Sequence, residues 1–360
     1  MGQRKSGHVT LNDVAVACDL SVSTVSIVLS DAPLSKNVAE KTRMRIRKMA
    51  QKLGYHPDAS ARSLRRRRTQ TVGVLAYDLS DPFCIPIVRG VQAGLQQAEY
   101  LPLVMDAQTQ RKLFDSYLRM ILEQRAEGVI VIASWIFEEA KLLADIEKNS
   151  VPIAIVGRDL TELKINSILV DNEEGGAMAL RHLYELGHRK IAVIRGPNEL
   201  FDSEPRWAGV LRAAKECGIK FDKRLVCRLP GFGGPMSSFE GGMKSAAKML
   251  ATGQEFTAVL AFDDVTALGV VRGLNDAGMR VPQQCSVVGF DDILQAAAAT
   301  PGLTTIRQPL RAMGLLAAEW VLDALNSQGS GNTRATLRYM SQPELIVRSS
   351  SAKPSNSEAE

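Results

Sequence analysis

The sequence predicts an α/β protein with an all-α helix-turn-helix head and a two-lobed body built on parallel sheets. Three observations support this prediction. Two short helical segments flank a tight turn near the N-terminus, positive charge is concentrated around them, and short apolar runs alternate with helical segments from residue 71 onward. Because about 280 residues of such alternation exceed one comfortable hydrophobic core, two α/β lobes are expected.

The head is predicted over residues 8–55 as three helices. Thr10 and Asp13 have the spacing of a capping box at the start of the first helix. Ser21 is expected to cap the second helix, which begins with small hydroxyl residues, as a helix entering the DNA major groove often does. Gly54 is expected to end the third helix. This pattern makes sequence-specific DNA binding the first hypothesis.

The charge distribution supports that hypothesis. Residues 1–70 contain fourteen Lys/Arg and five Asp/Glu, a net charge of +9, whereas the whole chain carries +5. The remaining 290 residues therefore hold 30 basic and 34 acidic side chains, a net charge of −4. A basic head on a mildly acidic body indicates that only the head faces a polyanion. A merely solvated basic helix is the alternative, which the neighbouring helix-turn-helix pattern disfavours.

Residues 56–70 are predicted to be a hinge helix and linker. Pro57 suits the first position of a helix, where its missing N–H costs nothing. The helix would have about two turns, too few to be stable alone in water. It is therefore expected to order only when something packs against it.

The body is predicted over residues 71–348. The apolar runs predict strands at 72–76, 101–105, 129–132, 153–156, 168–170, 191–194, 225–228, 258–261 and 286–289. Ligands of open α/β sheets bind at the carboxyl ends of the strands. Polar and aromatic residues that follow strands are therefore candidates for a binding site, and they include Asp81, Phe83, Arg158, Arg206, Asp263 and Asp291.

The head and hinge resemble the lac repressor (LacI/GalR) family of bacterial transcriptional regulators. The matching residues are Val9-Thr10-Leu11-Asn12-Asp13-Val14-Ala15, Ser21-Val22-Ser23-Thr24-Val25-Ser26, Thr42-Arg43 and Tyr55-His56-Pro57-Asp58…Ala61…Leu64. The resemblance implies that two hinges of a dimer lie in the minor groove of a pseudo-palindromic operator, where Leu64 wedges between base pairs with Ala61 on the same face. The alternative is that Leu64 only packs on the body.

The resemblance also implies which head residues meet DNA. Base contacts are expected from Val22, Ser23 and Ile27, with Thr24 and Ser26 nearer to phosphate. Thr10, Ser21, Tyr55, Ala61 and Leu64 complete the expected DNA-binding set. Two residues depart from the family pattern: Asp58 replaces a common asparagine, and Ile27 replaces an arginine that reads guanine. An isoleucine cannot donate to guanine but can touch a thymine methyl, so the operator half-site is expected to differ from the commonest one.

The body resembles the same family and the periplasmic sugar-binding proteins. The matching blocks are Leu186-Gly187-His188-Arg189-Lys190-Ile191-Ala192, Arg206-Trp207-Ala208-Gly209, Asp263-Asp264, Val287-Val288-Gly289-Phe290-Asp291 and Thr304-Thr305-Ile306-Arg307-Gln308-Pro309. The resemblance implies a periplasmic-binding-protein-like body that binds a small polar effector, a sugar or derivative first and a nucleoside or other metabolite second. Arg206 and Asp291 would grip effector hydroxyl or carbonyl groups with help from Asp263, Phe83 would form an aromatic wall, and Arg158 would be a further donor.

Each body residue also has a structural alternative. Phe83 could be plain core, and Arg206 could pair with a structural carboxylate. Asp264 and Asp292 are interpreted as caps of the helices that follow them. His188 is interpreted as a structural residue at a helix end.

The family fold implies three crossings between the lobes. The corresponding assignment gives residues 71–167 and 302–332 to lobe one, and residues 168–301 and 333–348 to lobe two. Lobe closure on a ligand would shift the two hinge helices, which couples the two sites. Residues 349–360 are polar and are predicted to be a disordered tail.

Composition argues against other classes. The five cysteines lack paired or metal-ligand spacing, which predicts reduced thiols in the cytoplasm and no metal or cofactor. The sequence shows no membrane-spanning run and no secretory signal. The run Pro230-Gly231-Phe232-Gly233-Gly234-Pro235 lacks the lysine of a phosphate loop, so an enzyme is disfavoured. The tail also lacks leucine heptads of the kind that form a tetramer helix in the resembled family, so the resemblance implies a dimer. A body that only dimerises, without a small ligand, remains the other possibility.

Overall fold

The computed structural model describes residues 9–30, 32–55, 69–121, 123, 126–134, 139–148, 151–231, 233–327 and 335–355. Its α-helices, numbered in chain order, are α1 Leu11–Cys18, α2 Val22–Leu29, α3 Glu40–Leu53, α4 Cys84–Gln97, α5 Arg111–Met120, α6 Glu139–Lys148, α7 Asn172–Glu185, α8 Ser203–Glu216, α9 Pro235–Ala251, α10 Asp264–Asp276, α11 Leu294–Ala298 and α12 Leu310–Asn326. The strands are β1 Thr71–Ala76, β2 Leu101–Asp106, β3 Gly128–Ile132, β4 Ile153–Val156, β5 Asn166–Val170, β6 Ile191–Arg195, β7 Val226–Arg228, β8 Ala258–Leu260, β9 Ser286–Asp291, β10 Thr304–Arg307, β11 Arg338–Ser341 and β12 Glu344–Ile346.

The chain divides into two compact units, residues 1–69 and 70–360. The first unit contains α1, α2 and α3 around its own apolar core, in which Val14, Val25, Val28 and Ile46 are fully buried. The predicted start and stop signals are confirmed. Thr10 and Asp13 form the capping box of α1, and Ser21 caps α2. Gly54 ends α3 in the left-handed region at a φ of 69°.

The second unit contains two six-stranded sheets. The first has the order β11-β5-β4-β3-β1-β2, with every pair of neighbours parallel. The second has the order β12-β10-β9-β8-β6-β7 and is parallel except for β12, which runs antiparallel to β10. The predicted two-lobed body with parallel sheets is confirmed.

Both faces of each sheet are covered by helices. In lobe one, Val72 and Val74 of β1 face a core that includes α4 and α12, whereas Leu75 faces a core that includes α5 and α6. Lobe two has the same organisation, with α9 and α10 on one face and α7 and α8 on the other. Strands buried on both faces are nearly all apolar, which explains why simple apolar runs predicted them.

The sheets correct the predicted division between the lobes. The chain crosses between them three times, as expected, but at different residues. Strand β5 pairs with β4 and therefore belongs to lobe one, although the prediction began lobe two at 168. Strand β10 pairs with β9 in lobe two, whereas 302–332 was given wholly to lobe one. Strand β11 pairs with β5 in lobe one, whereas 333–348 was given to lobe two.

The predicted disorder of residues 349–360 is wrong for the part that the structure describes. Ser350 is fully buried, its carbonyl accepts from the N–H of Val287 at 2.8 Å, and its hydroxyl donates back to the Val287 carbonyl at 2.6 Å. The N–H of Ala352 donates to Ser286 Oγ at 3.0 Å. The polar composition therefore supplies hydrogen bonds to lobe two. Residues 356–360 lie outside the described residues.

Among the residues that the structure describes, no single helix is long and apolar enough to cross a membrane. Of the described helices, only α1 and α2 taken together, with a bend of 111° between them, have the length and apolar composition of such a segment.

Candidate functional site: a DNA-binding head and an interlobe cleft

Helix α2 has a buried face and an outward face. Val25 and Val28 are fully buried in the head. Val22 and Ser23 are exposed, and Ile27 is partly exposed and does not belong to the head core. Residues four positions apart on a helix lie close together, so Ser23 and Ile27 share one outward surface, and the exposed Val22 lies at the start of the same helix.

The hydroxyl groups at the start of α2 are partly engaged with each other. Ser21 Oγ accepts from the N–H of Thr24 at 3.2 Å and lies 2.8 Å from Thr24 Oγ1. Thr10 is exposed and bonded to Asp13, and Tyr55 packs against the head core. Ser26 lies on the same helix. The other two expected DNA-binding residues, Ala61 and Leu64, lie outside the described residues.

Two arginines of α3 also have structural partners. Arg45 donates to the carbonyl of Cys18 in α1, and Arg43 pairs with Glu40 one turn earlier. These bonds link α3 to the first helix and to its own N-terminus, so not all of the positive charge of the head is available to a polyanion.

In the body, the carboxyl ends of the strands of both sheets meet at a cleft between the lobes. The cleft contains about 780 Å³ of empty space, part of it open to solvent. Five of the six predicted effector-binding residues line it, namely Asp81, Phe83, Arg206, Asp263 and Asp291. Residues from distant parts of the sequence, which were predicted because ligands bind at the carboxyl ends of parallel strands, therefore meet in one place.

Arg206 is the arginine of the cleft, and its geometry is tightly fixed. It is 4% exposed, and its Nε and Nη2 donate to Asn172 Oδ1 at 3.1 and 2.8 Å. Nη1 donates to the carbonyl of Phe262. The guanidinium carbon lies 4.5 Å from the ring centroid of Phe262 and 3.5 Å from that of Phe290. Among the described residues, Arg206 forms no ion pair. Its position is therefore not fixed by a structural carboxylate, which was the alternative interpretation.

Close backbone packing of two helices places this arginine. A Cβ on Gly176 of α7 would overlap the carbonyl of Arg206, and a Cβ on Gly209 of α8 would overlap the carbonyl of Glu173. Only glycine permits such an approach. The contact holds the start of α8, which carries Arg206, beside the start of α7, which carries Asn172.

Four carboxyl groups of the cleft have raised pKa values. Burial raises the pKa of Asp81 to about 7, with smaller contributions from the charges of Asp263 and Asp78. Burial also raises the pKa of Asp291 well above its usual range, although the charge of Arg206 opposes this effect. Asp202 and Asp263 are shifted in the same direction by burial, again opposed by Arg206. The cleft therefore contains poorly hydrated carboxyl groups, which can donate a hydrogen bond to a ligand when protonated and accept one through their oxygen atoms.

Asp291 has an unusual backbone conformation. It ends β9 at a φ of 116°, which L-amino acids rarely adopt. Its Oδ1 accepts from Gln308 Nε2 at 2.6 Å. Backbone strain of this kind often accompanies a functional site.

Asp264 was predicted to cap α10, and the structure corrects this prediction. Asp263, not Asp264, caps α10 by accepting from the N–H of Thr266 at 2.6 Å. Asp264 is fully buried and accepts from the N–H of Ile293 at 2.9 Å and from Thr305 Oγ1 at 2.6 Å. Burial raises its pKa to about 8. Asp264 thus ties strand β10 to the loop before α11.

The prediction that Asp292 caps a helix is also wrong, because its carboxylate pairs with Arg307 at 2.7 Å and Arg348 at 2.5 Å. His188 has the structural role that was expected for it. It is 1% exposed and lies within hydrogen-bond distance of Thr257, Ser286 and the carbonyl of Ala352. Burial lowers its pKa, so its role does not depend on a charge at the helix end.

Arg158 does not line the cleft. Its guanidinium carbon lies 4.9 Å from the ring centroid of Phe201, on the other lobe. The N–H of Phe201 donates to the carbonyl of Ser134 in lobe one at 3.1 Å. Next to it, Asp202 Oδ1 accepts from Asn172 Nδ2 at 3.0 Å. Because Asn172 also holds Arg206, a chain of contacts runs from the cleft to the junction of the lobes.

Sequence reasoning missed Asn172, Asp202 and Gln308. Asn172 stands two residues after β5 and Gln308 stands directly after β10, so the strand-end rule could have found both. Asp202 follows no strand directly, and only the folded loop reveals it.

All five cysteines fall within the described residues and are free. The described residues also contain no group of three side chains suited to a metal ion.

Known families match both parts of the chain. A family described as "Bacterial regulatory proteins, lacI family" matches residues 10–58, and a "Periplasmic binding protein-like domain" matches residues 180–351. The chain is 32% identical over 343 residues to the HTH-type transcriptional repressor CytR of Escherichia coli (strain K12), which covers 95% of this chain and 96% of that protein. It is 31% identical over 346 residues to the HTH-type transcriptional regulator GalR of the same strain, with 96% of each chain covered.

Solved structures agree with these matches. The Lac repressor dimer bound to operator and the anti-inducer ONPF has a TM-score of 0.82 at 27% identity, over 96% of this chain and 100% of that chain. The complex of the transcriptional regulator CelR with cellobiose has a TM-score of 0.69 at 26% identity, over 95% and 100% of the two chains. With a helix-turn-helix head, a two-lobed body and full-length relatives above 30% identity, the chain belongs to the lacI family of bacterial regulatory proteins and is a DNA-binding transcriptional regulator.

Proposed function

We propose that the chain is a repressor that binds a pseudo-palindromic operator as a homodimer, and that a sugar or sugar derivative in the interlobe cleft sets its operator affinity. The observation that carries the proposal is the cleft itself. One guanidinium, held by stacking and by an amide, faces several poorly hydrated carboxyl groups, and this combination of donors and acceptors suits a polyhydroxylated ligand.

The proposed mechanism couples ligand to lobe closure. A ligand that contacts Arg206 from one lobe and Asp81 from the other favours the closed arrangement, because it binds that arrangement better. Arg206 is bonded to Asn172, Asn172 to Asp202, and Asp202 to Ser134 of lobe one, so a shift of Arg206 is transmitted to lobe one through these contacts. In this proposal Phe83 forms a wall, Asp263 and Asp291 accept from the ligand, and Arg158 supports the junction of the lobes.

The proposed DNA contacts are Val22, Ser23 and Ile27 on the outward surface of α2, with Thr10, Ser21, Thr24, Ser26 and Tyr55 closer to the backbone and Ala61 and Leu64 in the hinge. Selection of binding sites from random DNA should return a two-fold-symmetric site without a guanine fixed opposite Ile27. The Ile27→Arg variant should then select guanine at that position, since arginine donates to both guanine acceptors.

The matched control is Val16→Arg, which adds the same charge at a 74% exposed position of α1. It should strengthen binding slightly on all sequences without changing the selected motif. An asymmetric site would contradict the dimer. A guanine selected by the unmodified chain opposite Ile27 would contradict the proposed readout.

The hinge provides a second test. Leu64→Ala should weaken operator binding about 30-fold, or about 2 kcal/mol, because the apolar wedge that stabilises bent DNA is removed. Fluorescence anisotropy with the selected operator measures this change. Leu294→Ala, at an 81% exposed leucine of lobe two, should leave the affinity unchanged. Equal affinities for the Leu64→Ala variant and the unmodified chain would remove the wedge from the proposal.

A surface of lobe one supports the homodimer. Strand β2 is the edge of its sheet and exposes Leu101, Leu103 and Val104 at 59%, 36% and 40%. An edge strand with exposed apolar side chains is normally covered by a partner. A second copy of the chain that meets it through a two-fold axis would cover both surfaces at once.

We further propose that the protein works in the cytoplasm and catalyses no reaction. Free cysteines suit a reducing compartment. The buried thiol of Cys84 beside the cleft has a strongly raised pKa, so it is a poor nucleophile.

A further inference from the structure

We propose that the effector is longer than one sugar ring, and that its second hydroxyl-bearing ring occupies a recess beside the main cleft. This inference rests on the proposed function, because it concerns the ligand of the same cleft. The recess lies between Asp78, Ser80, Asp106, Gln108 and Thr109 of lobe one and the segment Gly233–Met236 of lobe two.

The recess adjoins the cleft. Asp78 and Pro235 line both spaces, so a ligand in the cleft that extends past these two residues would enter the recess. The two spaces differ in chemistry. The cleft has aromatic walls from Phe83, Phe262 and Tyr77, whereas none of the described residues that line the recess is aromatic.

Each of the two carboxylates of the recess is held in place by hydrogen bonds to only one of its oxygen atoms. Asp78 Oδ1 accepts from the N–H of Ser80 at 2.9 Å and from its hydroxyl at 2.6 Å. Asp106 Oδ1 accepts from the N–H groups of Leu79 and Gln108 at 3.1 and 3.0 Å. Within the described residues, no partner is bonded to the Oδ2 atom of either aspartate. These oxygens are therefore oriented acceptors for ligand hydroxyls.

The loop that carries Gln108 is also fixed. The N–H of Thr109 donates to the carbonyl of Tyr77 at 2.9 Å, and the Tyr77 hydroxyl donates to the carbonyl of Thr109 at 2.8 Å. The exposed carboxamide of Gln108 has no hydrogen-bond partner in the described part of the chain. It adds a donor and an acceptor to the two carboxylates, which is a set that recognises a ring with several hydroxyl groups.

The test uses the whole chain and matched pairs of sugars, namely glucose with cellobiose and maltose, and galactose with lactose and melibiose. Thermal melting identifies compounds that stabilise the protein, and calorimetry gives their Kd. We expect a two-ring compound to bind at least tenfold tighter than its one-ring partner. Gln108→Ala should weaken the two-ring compound about fivefold and leave the one-ring compound unchanged.

Gln97→Ala, at an exposed glutamine that ends α4 and lines neither space, is the matched control and should change neither affinity. Equal affinities for one-ring and two-ring compounds would overturn the inference, as would an equal effect of Gln108→Ala on both. A panel in which no compound stabilises the protein would instead contradict the sugar effector itself. The two failures are therefore distinguishable.

Discussion

Replacement of Arg206 by lysine should abolish the response to the effector while the protein stays folded and continues to bind operator DNA. Lysine keeps the positive charge near Asp202, Asp263 and Asp291, so the buried carboxyl groups are not left without a cation. It cannot reproduce the paired bonds to Asn172 or the stacking on Phe262 and Phe290. Loss of these oriented contacts should raise the Kd for the effector about 100-fold, or about 3 kcal/mol.

The measurement is operator binding by fluorescence anisotropy with and without the effector, combined with calorimetry of the effector. Arg195→Lys is the matched control in the same lobe. Arg195 also lies over an aromatic ring, 4.8 Å from Trp207, and pairs with Glu204, but it does not line the cleft. An Arg206→Lys variant that still responds fully to the effector would show that this guanidinium does not bind it.

The second large effect concerns pH. Because Asp81 has a pKa of about 7 in the folded protein, above the ordinary value of 3.8, its ionisation opposes folding. Below about pH 4 the group is protonated in both states and the folded state carries no penalty. As pH rises towards 7, the unfolded chain releases its proton first, so stability falls. Above about pH 7 the loss is complete.

Asp81→Asn should therefore stabilise the ligand-free protein at pH 8.5 and have little effect at pH 4. Asparagine keeps the Oδ1 acceptor for the N–H of Phe83 but carries no charge. A shift of about three pKa units corresponds to about 4 kcal/mol. Since part of Asp81 remains exposed to solvent, we expect about half of this gain, or a rise in Tm of about 5 °C.

Thermal melts at pH 4 and pH 8.5 test this expectation. Asp276→Asn, at an exposed aspartate paired with Arg272, is the control and should change the Tm by about 1 °C or less at either pH. A lower Tm for Asp81→Asn at pH 8.5 would mean that the folded protein requires the ionised carboxylate. The same variant should also weaken effector binding if Asp81 accepts from the ligand.

Local signals predicted the elements of this fold well. The capping box of α1, the cap of α2 and the glycine that ends α3 act within a few residues, so the sequence states them directly. Strands such as β1 and β3 are buried on both faces and are therefore simple apolar runs. The meeting of Asp263 with Asp291 at the cleft followed from the general rule for the ends of parallel strands, whereas Arg206 lies within α8.

Non-local pairing was harder to predict. The four residues of β10 and the four of β11 contain no signal that assigns them to one sheet or the other, and the boundaries between the lobes were misplaced for this reason. The serines near the C-terminus resemble a disordered tail in composition, and only their partners in lobe two reveal their role. Arg158 follows a strand, as a cleft residue would, but its guanidinium lies over the ring of Phe201 and does not line the cleft.

The three crossings have a consequence for how the protein is made. Lobe one requires α12 and β11, which come after all but one strand of lobe two. Lobe two requires β12 and the segment around Ser350, which follow β11 in the sequence. A ribosome adds about 5–20 residues per second and usually releases domains in order from the N-terminus. Neither lobe can therefore finish folding until the segments that complete it, β11 for lobe one and Ser350 for lobe two, have emerged, so a nascent chain that stops before α12 contains two unfinished lobes rather than one complete sensor.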